Sequence, residues 1–193
     1  MLKNLFVSEV RLKILDLLLV QPEEPLHVRA IVRKVDAEIN AVRRELNNLT
    51  TIGLLDKRQS SNKIFYTVNK SHPLYSELLS MLAKERGLGS DIIKNKDNLG
   101  KVEFAIMSLA FLKGRTSTAL EVDLFMVGDI NFENASKIVK AYEKKIGKEL
   151  NYSVMTSEEF LFRKRKNDSF IFKVLSQSRS MLVGDEEKFY SIV

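Results

Sequence analysis

Asn40, Arg43, Arg44 and Asn47 are the residues whose types and spacing first suggest chemistry. Positions three, four and seven apart share one face of a helix. An arginine fork matches the two acceptors of guanine. An asparagine amide matches adenine, and either side chain also holds a phosphate. That chemistry is recognition by hydrogen bonding, with no bond made or broken. The opposite face carries Ile39, Val42, Leu46, Leu49 and Ile52, spaced by three or four, so it is the side that docks the helix on a core. Asn48 joins the polar face.

The elements that must hold this helix are legible around it. Val28 to Val35 reads as a preceding helix that buries Val28, Ile31, Val32 and Val35. Asp36, Ala37 and Glu38 are left as a turn, and an acid there suits the start of the second helix. Gly53 follows the last apolar position, where a helix ends most easily on a residue that tolerates positive φ. Two apolar-alternating runs come next, Leu54 to Gln59 and Lys63 to Val68, joined by Ser60-Ser61-Asn62, which reads as a hairpin. Arg58, Asn62 and Lys63 sit near its tip. An opening helix, about Glu9 to Leu19, offers Val10, Ile14, Leu17 and Leu18. A helix after the hairpin, about Leu74 to Arg86, offers Leu74, Leu78, Met81, Leu82 and Glu85. Helix, turn, helix and hairpin in this order make a winged helix-turn-helix. Its expected partner is double-stranded DNA, contacted by Asn40, Arg43, Arg44 and Asn47 in the groove and by Arg58, Asn62 and Lys63 from the wing. His27 and His72 receive no chemical role beyond surface, packing or capping. The helix after the hairpin either closes the core or pairs with its twin, and a homodimer is expected.

Bulk properties narrow the classes. The chain has 193 residues, a net charge of +6 and no cysteine. Disulfides, thiol nucleophiles and cysteine zinc sites are therefore excluded. Residues 1–90 carry 14 Lys or Arg against 10 Asp or Glu, so +4 of the +6 sits there. That tilt favours an anionic partner for the first half. Glu9, Arg11 and Lys13 interrupt the apolar N-terminus, so no signal peptide is expected. No stretch is long and apolar enough for a membrane span, and a cytoplasmic protein is the expectation.

Gly87-Leu88-Gly89-Ser90 marks the expected boundary, giving domains 1–88 and 89–193. Beyond it a helical segment around Ser90 to Asn98 leads to an apolar strand, Val102 to Leu112. A second strand, Glu121 to Val127, ends at Gly128. A helix from Phe132 to Ile146, a strand near Leu150 to Val154 and helices to the C-terminus complete a small α/β domain. Glu121 and Asp123, two apart on a strand, would share a face and could hold Mg²⁺. Arg163-Lys164-Arg165-Lys166 is a basic run of the kind that usually forms a solvated face.

Glu121-Val122-Asp123-Leu124 followed by Val127-Gly128 resembles the paired-acid strand of the minimal nucleotidyltransferase family, related to DNA polymerase β. The tail, Ser157-Glu158-Glu159-Phe160 and Leu182 through Glu187, is similar to that family's C-terminal half. The first half resembles ArsR-type winged-helix regulators. The resemblance covers nearly the whole chain and implies an α+β protein: an N-terminal winged helix-turn-helix fused to a C-terminal nucleotidyltransferase-like domain. The family's phosphate-cradling Gly-Ser pair falls on Leu109 and Ala110, its first acid is Glu121, and its third acid falls on neutral Asn151. Losing one charge-stabilising group costs on the order of 10²–10³ in rate. The resemblance with these departures implies a domain without catalysis and without a cofactor. The whole chain is then expected to be a DNA-binding transcriptional regulator whose second domain senses a ligand or docks a partner. The alternative is a Mg²⁺-dependent nucleotidyltransferase using Glu121 and Asp123, targeted by the winged helix.

Overall fold

The computed structural model describes residues 2–20, 25–115 and 121–191. The protein is mixed α+β with small sheets, and it divides into two compact units, residues 1–82 and 83–193. The division falls six residues ahead of the expected boundary. The reason is that the glycine segment is not a linker: it starts a helix whose Leu88 and Ile92 belong to the second unit's core. Among the described residues no helix is long and apolar enough to cross a membrane.

The first unit begins with a short α1 (Leu2–Leu5), which the sequence reading does not include, and α2 (Glu9–Val20). A two-residue strand β1 (Leu26–His27) runs straight into α3 (Val28–Val35). Next is α4 (Ile39–Thr51), capped by Glu38, whose carboxylate accepts from the Asn40 and Ala41 N–H groups at 2.7 and 2.9 Å. Two orphan donors at the helix start are thereby satisfied. At its other end Gly53 takes φ +76°, and Leu54 N–H donates back to Leu49 O at 3.0 Å. The hairpin is β2 (Leu55–Ser60) and β3 (Lys63–Val68). Ser60 pairs with Lys63, so its loop is only Ser61-Asn62, with Ser61 at φ +52°. The three strands form one antiparallel sheet in the order β1-β3-β2. The helix α5 (Tyr75–Glu85) follows.

Packing departs from the expected stripes in four helices; in α3 only Ile31 and Val35 are buried, while Val28 and Val32 are half-buried. In α2 the buried residues are Leu12, Ile14, Leu15, Leu18 and Leu19, while Val10 and Leu17 are only half-buried. In α4 Ile52 is the cap residue and is 59 % exposed, because the helix has ended before its turn could face the core. Glu45 takes a core place instead. In α5 the buried side is Tyr75, Leu79, Leu82 and Ala83, so Leu74 stays outside and Leu78 and Met81 are half-buried.

The second unit opens with α6 (Gly87–Lys94) and a single 3-10 turn, Lys96–Leu99. Then come β4 (Gly100–Ser108), α7 (Leu109–Leu112), β5 (Leu124–Ile130), α8 (Phe132–Ile146) and β6 (Tyr152–Met155). The chain closes with α9 (Ser157–Arg165), α10 (Ser169–Ser176), β7 (Arg179–Val183) and α11 (Glu186–Tyr190). The sheet order is β6-β5-β4-β7, with β5 and β6 parallel and the other pairs antiparallel. Strand alternation splits the core. Leu124 and Met126 face one cluster with Ile92, Ala135 and Val139. Phe125 and Val127 face the other, with Phe160, Ile171 and Phe189. β7 corrects the expectation of helices alone after β6. The strand expected over Val102 to Leu112 also stops at Ser108. There the Ser108 hydroxyl accepts from Ala110 N–H at 3.1 Å and turns the chain into α7.

The basic run at 163–166 is not a wholly solvated face. Lys164 is 5 % exposed, and its ammonium donates to the carbonyls of Phe189 (2.7 Å) and Ser191, with the Phe160 ring 5.2 Å away. Burial pushes the ammonium below the ordinary lysine value of 10.5. Lys164→Met keeps the apolar stem but leaves two carbonyls without their donor. Its denaturant midpoint is expected to fall by the equivalent of about 2–3 kcal/mol. An unchanged midpoint in urea titration would show that the tether carries no stability.

Candidate nucleic-acid interface

α4 presents its polar face as the spacing requires. Asn40, Arg43, Arg44, Asn47 and Asn48 are all exposed, while Val42, Leu46 and Leu49 are buried beneath them. Between this face and the hairpin lies a groove of about 530 Å³. α4 contributes Arg43 and Asn47 to it. The hairpin contributes Lys57, Asn62, Lys63, Ile64 and Tyr66, and the β1–α3 junction contributes His27, Val28 and Arg29. Four cations line the groove and no acid does. Coulomb repulsion among them is offset only by solvent and counterions, so the groove favours a polyanion.

Of the seven expected contact residues, the structure brings Arg43, Asn47, Asn62 and Lys63 together in this groove. Asn40 and Arg44 lie on the exposed face of α4 outside the groove lining. Arg58 is also outside it. Along a strand neighbours point to opposite faces, and in β2 it is Lys57, paired with Tyr66, that lines the groove. Arg29, Lys57 and Tyr66 were missed by sequence reasoning. The alternation of β2 carried a signal for Lys57, while Arg29 needed the packing of α3 beside the hairpin. Tyr66 forms part of the groove's floor. Burial holds its phenol above the ordinary 10, against a smaller pull from Arg43, so it remains a neutral hydroxyl.

A second cavity of about 450 Å³ adjoins the first. Its lining is His27, Arg29, Val32, Arg33 and Lys63, again without an acid. Three residues, His27, Arg29 and Lys63, line both cavities.

Besides its apolar stripe, α4 is held by an ion pair buried on the Glu45 side. Glu45 is 3 % exposed and accepts from Arg11 Nε of α2 at 2.8 Å. Burial pushes its carboxyl up, but hydrogen bonds from Arg11, Ser8 and Asn48 and the Arg11 charge outweigh it, and the group stays below its ordinary 4.5. Glu45 falls between Val42 and Leu46 on the apolar stripe, and that spacing was the available sign of its burial. At the other end of α4, His72 Nδ1 accepts from Leu74 N–H at 3.2 Å. That leaves the ring proton on Nε2, which meets Ile52 O at 3.1 Å. The expected capping or packing role for His72 thus has a specific form.

In the second unit Glu121 and Asp123 do not lie on a strand, because β5 begins at Leu124. Asp123 is 1 % exposed, and its Oδ2 accepts from Asn151 N–H at 3.0 Å. Its backbone N–H donates to Asn151 O at 2.7 Å, and its carbonyl accepts from Ser108 N–H at 2.9 Å. The strand end at Ser108, the acid at Asp123 and the neutral Asn151 do come together, but as a knot of structural hydrogen bonds. Leu109 and Ala110 occupy the first turn of α7. This set does not fit Mg²⁺: one carboxylate is buried against a backbone amide, and the adjoining position supplies a neutral amide. Among the described residues no three His, Asp or Glu side chains are grouped to hold a metal ion.

Compared with known proteins, the chain matches no protein-family model, no curated protein and no solved structure.

Proposed function

We propose that this protein is a sequence-specific regulator that binds double-stranded DNA through a winged helix-turn-helix formed by α3, α4 and the β2–β3 hairpin. The observation that carries the reading is the groove between α4 and the hairpin, lined by four cations and no acid. α4 lies on the major groove, where Arg43 and Asn47 reach base edges and Asn40 and Arg44 extend the contact along its exposed face. Lys57, Asn62 and Lys63 hold the backbone from the hairpin. The second unit acts as a non-catalytic sensor or partner module with a nucleotidyltransferase-like layout. The regulator works as a homodimer, which presents two recognition helices about 34 Å apart on a two-fold symmetric site.

Selection of bound duplexes from a random pool by the purified protein is the direct test. The pool is expected to converge on one sequence. Arg43→Ala should weaken binding to that site by about 1–3 kcal/mol and relax preference at one position. Lys57→Ala should weaken all sequences alike. Arg29, Lys57 and Lys63 leave three phosphate-neutralising cations per protomer, a slope of about −2.7 per protomer for log K against log salt. Affinity of the dimer should therefore drop on the order of a thousandfold between 50 and 200 mM salt. A pool that never converges, with binding indifferent to salt, overturns the proposal. Nucleotide transfer from labelled NTPs that disappears in Asp123→Ala would replace the non-catalytic reading of the second unit.

A further inference from the structure

The two cationic cavities of the first unit meet at His27, Arg29 and Lys63. His27 is held there from two sides. Its Nδ1 accepts from Ala30 N–H at 3.3 Å, which caps α3. Its ring stands edge-on to Phe65, with centroids 5.9 Å apart and planes at 89°. The strand register enforces this, because His27 pairs directly with Phe65 across β1 and β3. With Nδ1 committed as an acceptor, the ring proton sits on Nε2. Among the described residues that N–H makes no hydrogen bond. The ring is thus a donor of fixed orientation that lines both cavities together with Arg29 and Lys63.

We infer that His27, Arg29 and Lys63 form a built site for a single phosphate, with His27 Nε2–H as its orienting donor, and that the phosphate is one of the duplex backbone bound by α4. The inference rests on the DNA-binding reading. Arg29 and Lys63 supply charge, which attracts a phosphate from any direction. The imidazole supplies direction, because its donor cannot rotate without breaking the α3 cap. The site thereby sets the register of the duplex against Arg43 and Asn47 and carries no sequence information itself.

His27→Asn separates this role from capping, since asparagine is among the best N-cap residues. The variant is expected to keep the α3 cap and to show only the small fall in melting temperature that losing the ring contact with Phe65 brings. It should lose about tenfold in affinity for every duplex tested, a loss in keeping with one hydrogen bond to a charged group. Arg29→Ala and Lys63→Ala should each reduce the salt slope by about 0.9 per protomer, whereas His27→Asn should leave it unchanged. Wild-type affinity in His27→Asn would show that the histidine only caps a helix and would overturn the inference. If Arg43→Ala weakens binding but all three of these variants match wild type, the inference fails while the regulator reading stands. If the wild type binds no duplex at 50 mM salt, both fall. Inorganic phosphate and a mononucleotide, added at constant ionic strength, are expected not to compete with DNA. Saturable displacement by either would assign the site to a free phosphate ligand instead.

Discussion

Arg11→Ala is expected to lower the free energy of unfolding by about 2–4 kcal/mol. Removing one partner of a buried ion pair leaves the other charge in a poor solvent, a loss of about 3–5 kcal/mol in dry sites. The figure is set lower here because Arg11 is 36 % exposed and water reaches that side of the pair. The pH dependence has a definite sign. In the wild type Glu45 stays ionised below its ordinary 4.5, so its stabilising effect is complete above about 4.5 and fades as pH falls through the lowered value. In Arg11→Ala, burial is no longer outweighed and the carboxyl moves up. Acid then relieves the variant while it weakens the wild type. The stability gap between them should narrow as pH falls from 7 toward 4. Urea melts of both proteins across that range check it, and a gap independent of pH would remove Glu45 from the account. Arg11→Leu combined with Glu45→Leu should recover most of the loss, because a well-packed apolar pair of similar volume commonly replaces a buried ion pair without harm.

Gly128→Ala carries the other large effect, a destabilisation of about 3–5 kcal/mol. Sequence reasoning placed Gly128 at the end of a strand, yet it lies inside β5, opposite Val102 at an irregularity in the β4–β5 pairing. Its φ is +143°, and a Cβ there would stand 2.1 Å from Lys101 O and 3.0 Å from Glu103 N. Both neighbours are backbone atoms of the paired strand, so no side chain can yield. Backbone strain alone costs about 1–3 kcal/mol, and the displaced ladder adds to it. The strands involved are the two central ones of the second unit's sheet. Thermal melts followed by circular dichroism should show a large fall in the melting temperature or a loss of soluble protein. A melting temperature within a degree of wild type would mean that β4 and β5 re-register freely at this point.

Elements set by short-range pattern were legible from the residues alone. α3 at Val28–Val35 and α8 at Phe132–Ile146 have the bounds that apolar period assigns. Gly53 adopts the positive φ that its place after α4 required. These features depend on residues within a few positions of each other, so spacing and cap chemistry suffice. The polar face of α4 was legible for the same reason. Local pattern therefore specified a basic, exposed helix on an apolar footing, followed by a hairpin.

Which cations share a groove is a matter of long-range packing. Lys57 rather than Arg58 faces Arg43 because of the β2–β3 register, a one-residue matter that reverses every side chain. His27 and Arg29 reach the groove because β1 pairs with β3, a strand far along the chain. The same holds for Glu45, whose burial depends on Arg11 of another helix. It holds for Asp123, whose carboxylate is turned inward by Asn151 rather than outward toward a metal ion. β7 was missed for a related reason: five residues carry too little alternation to declare a strand until β4 offers its edge. Periodicity reports which side of an element is apolar. The partner that side meets, and the charges gathered across the gap, follow from contacts between segments far apart in the chain.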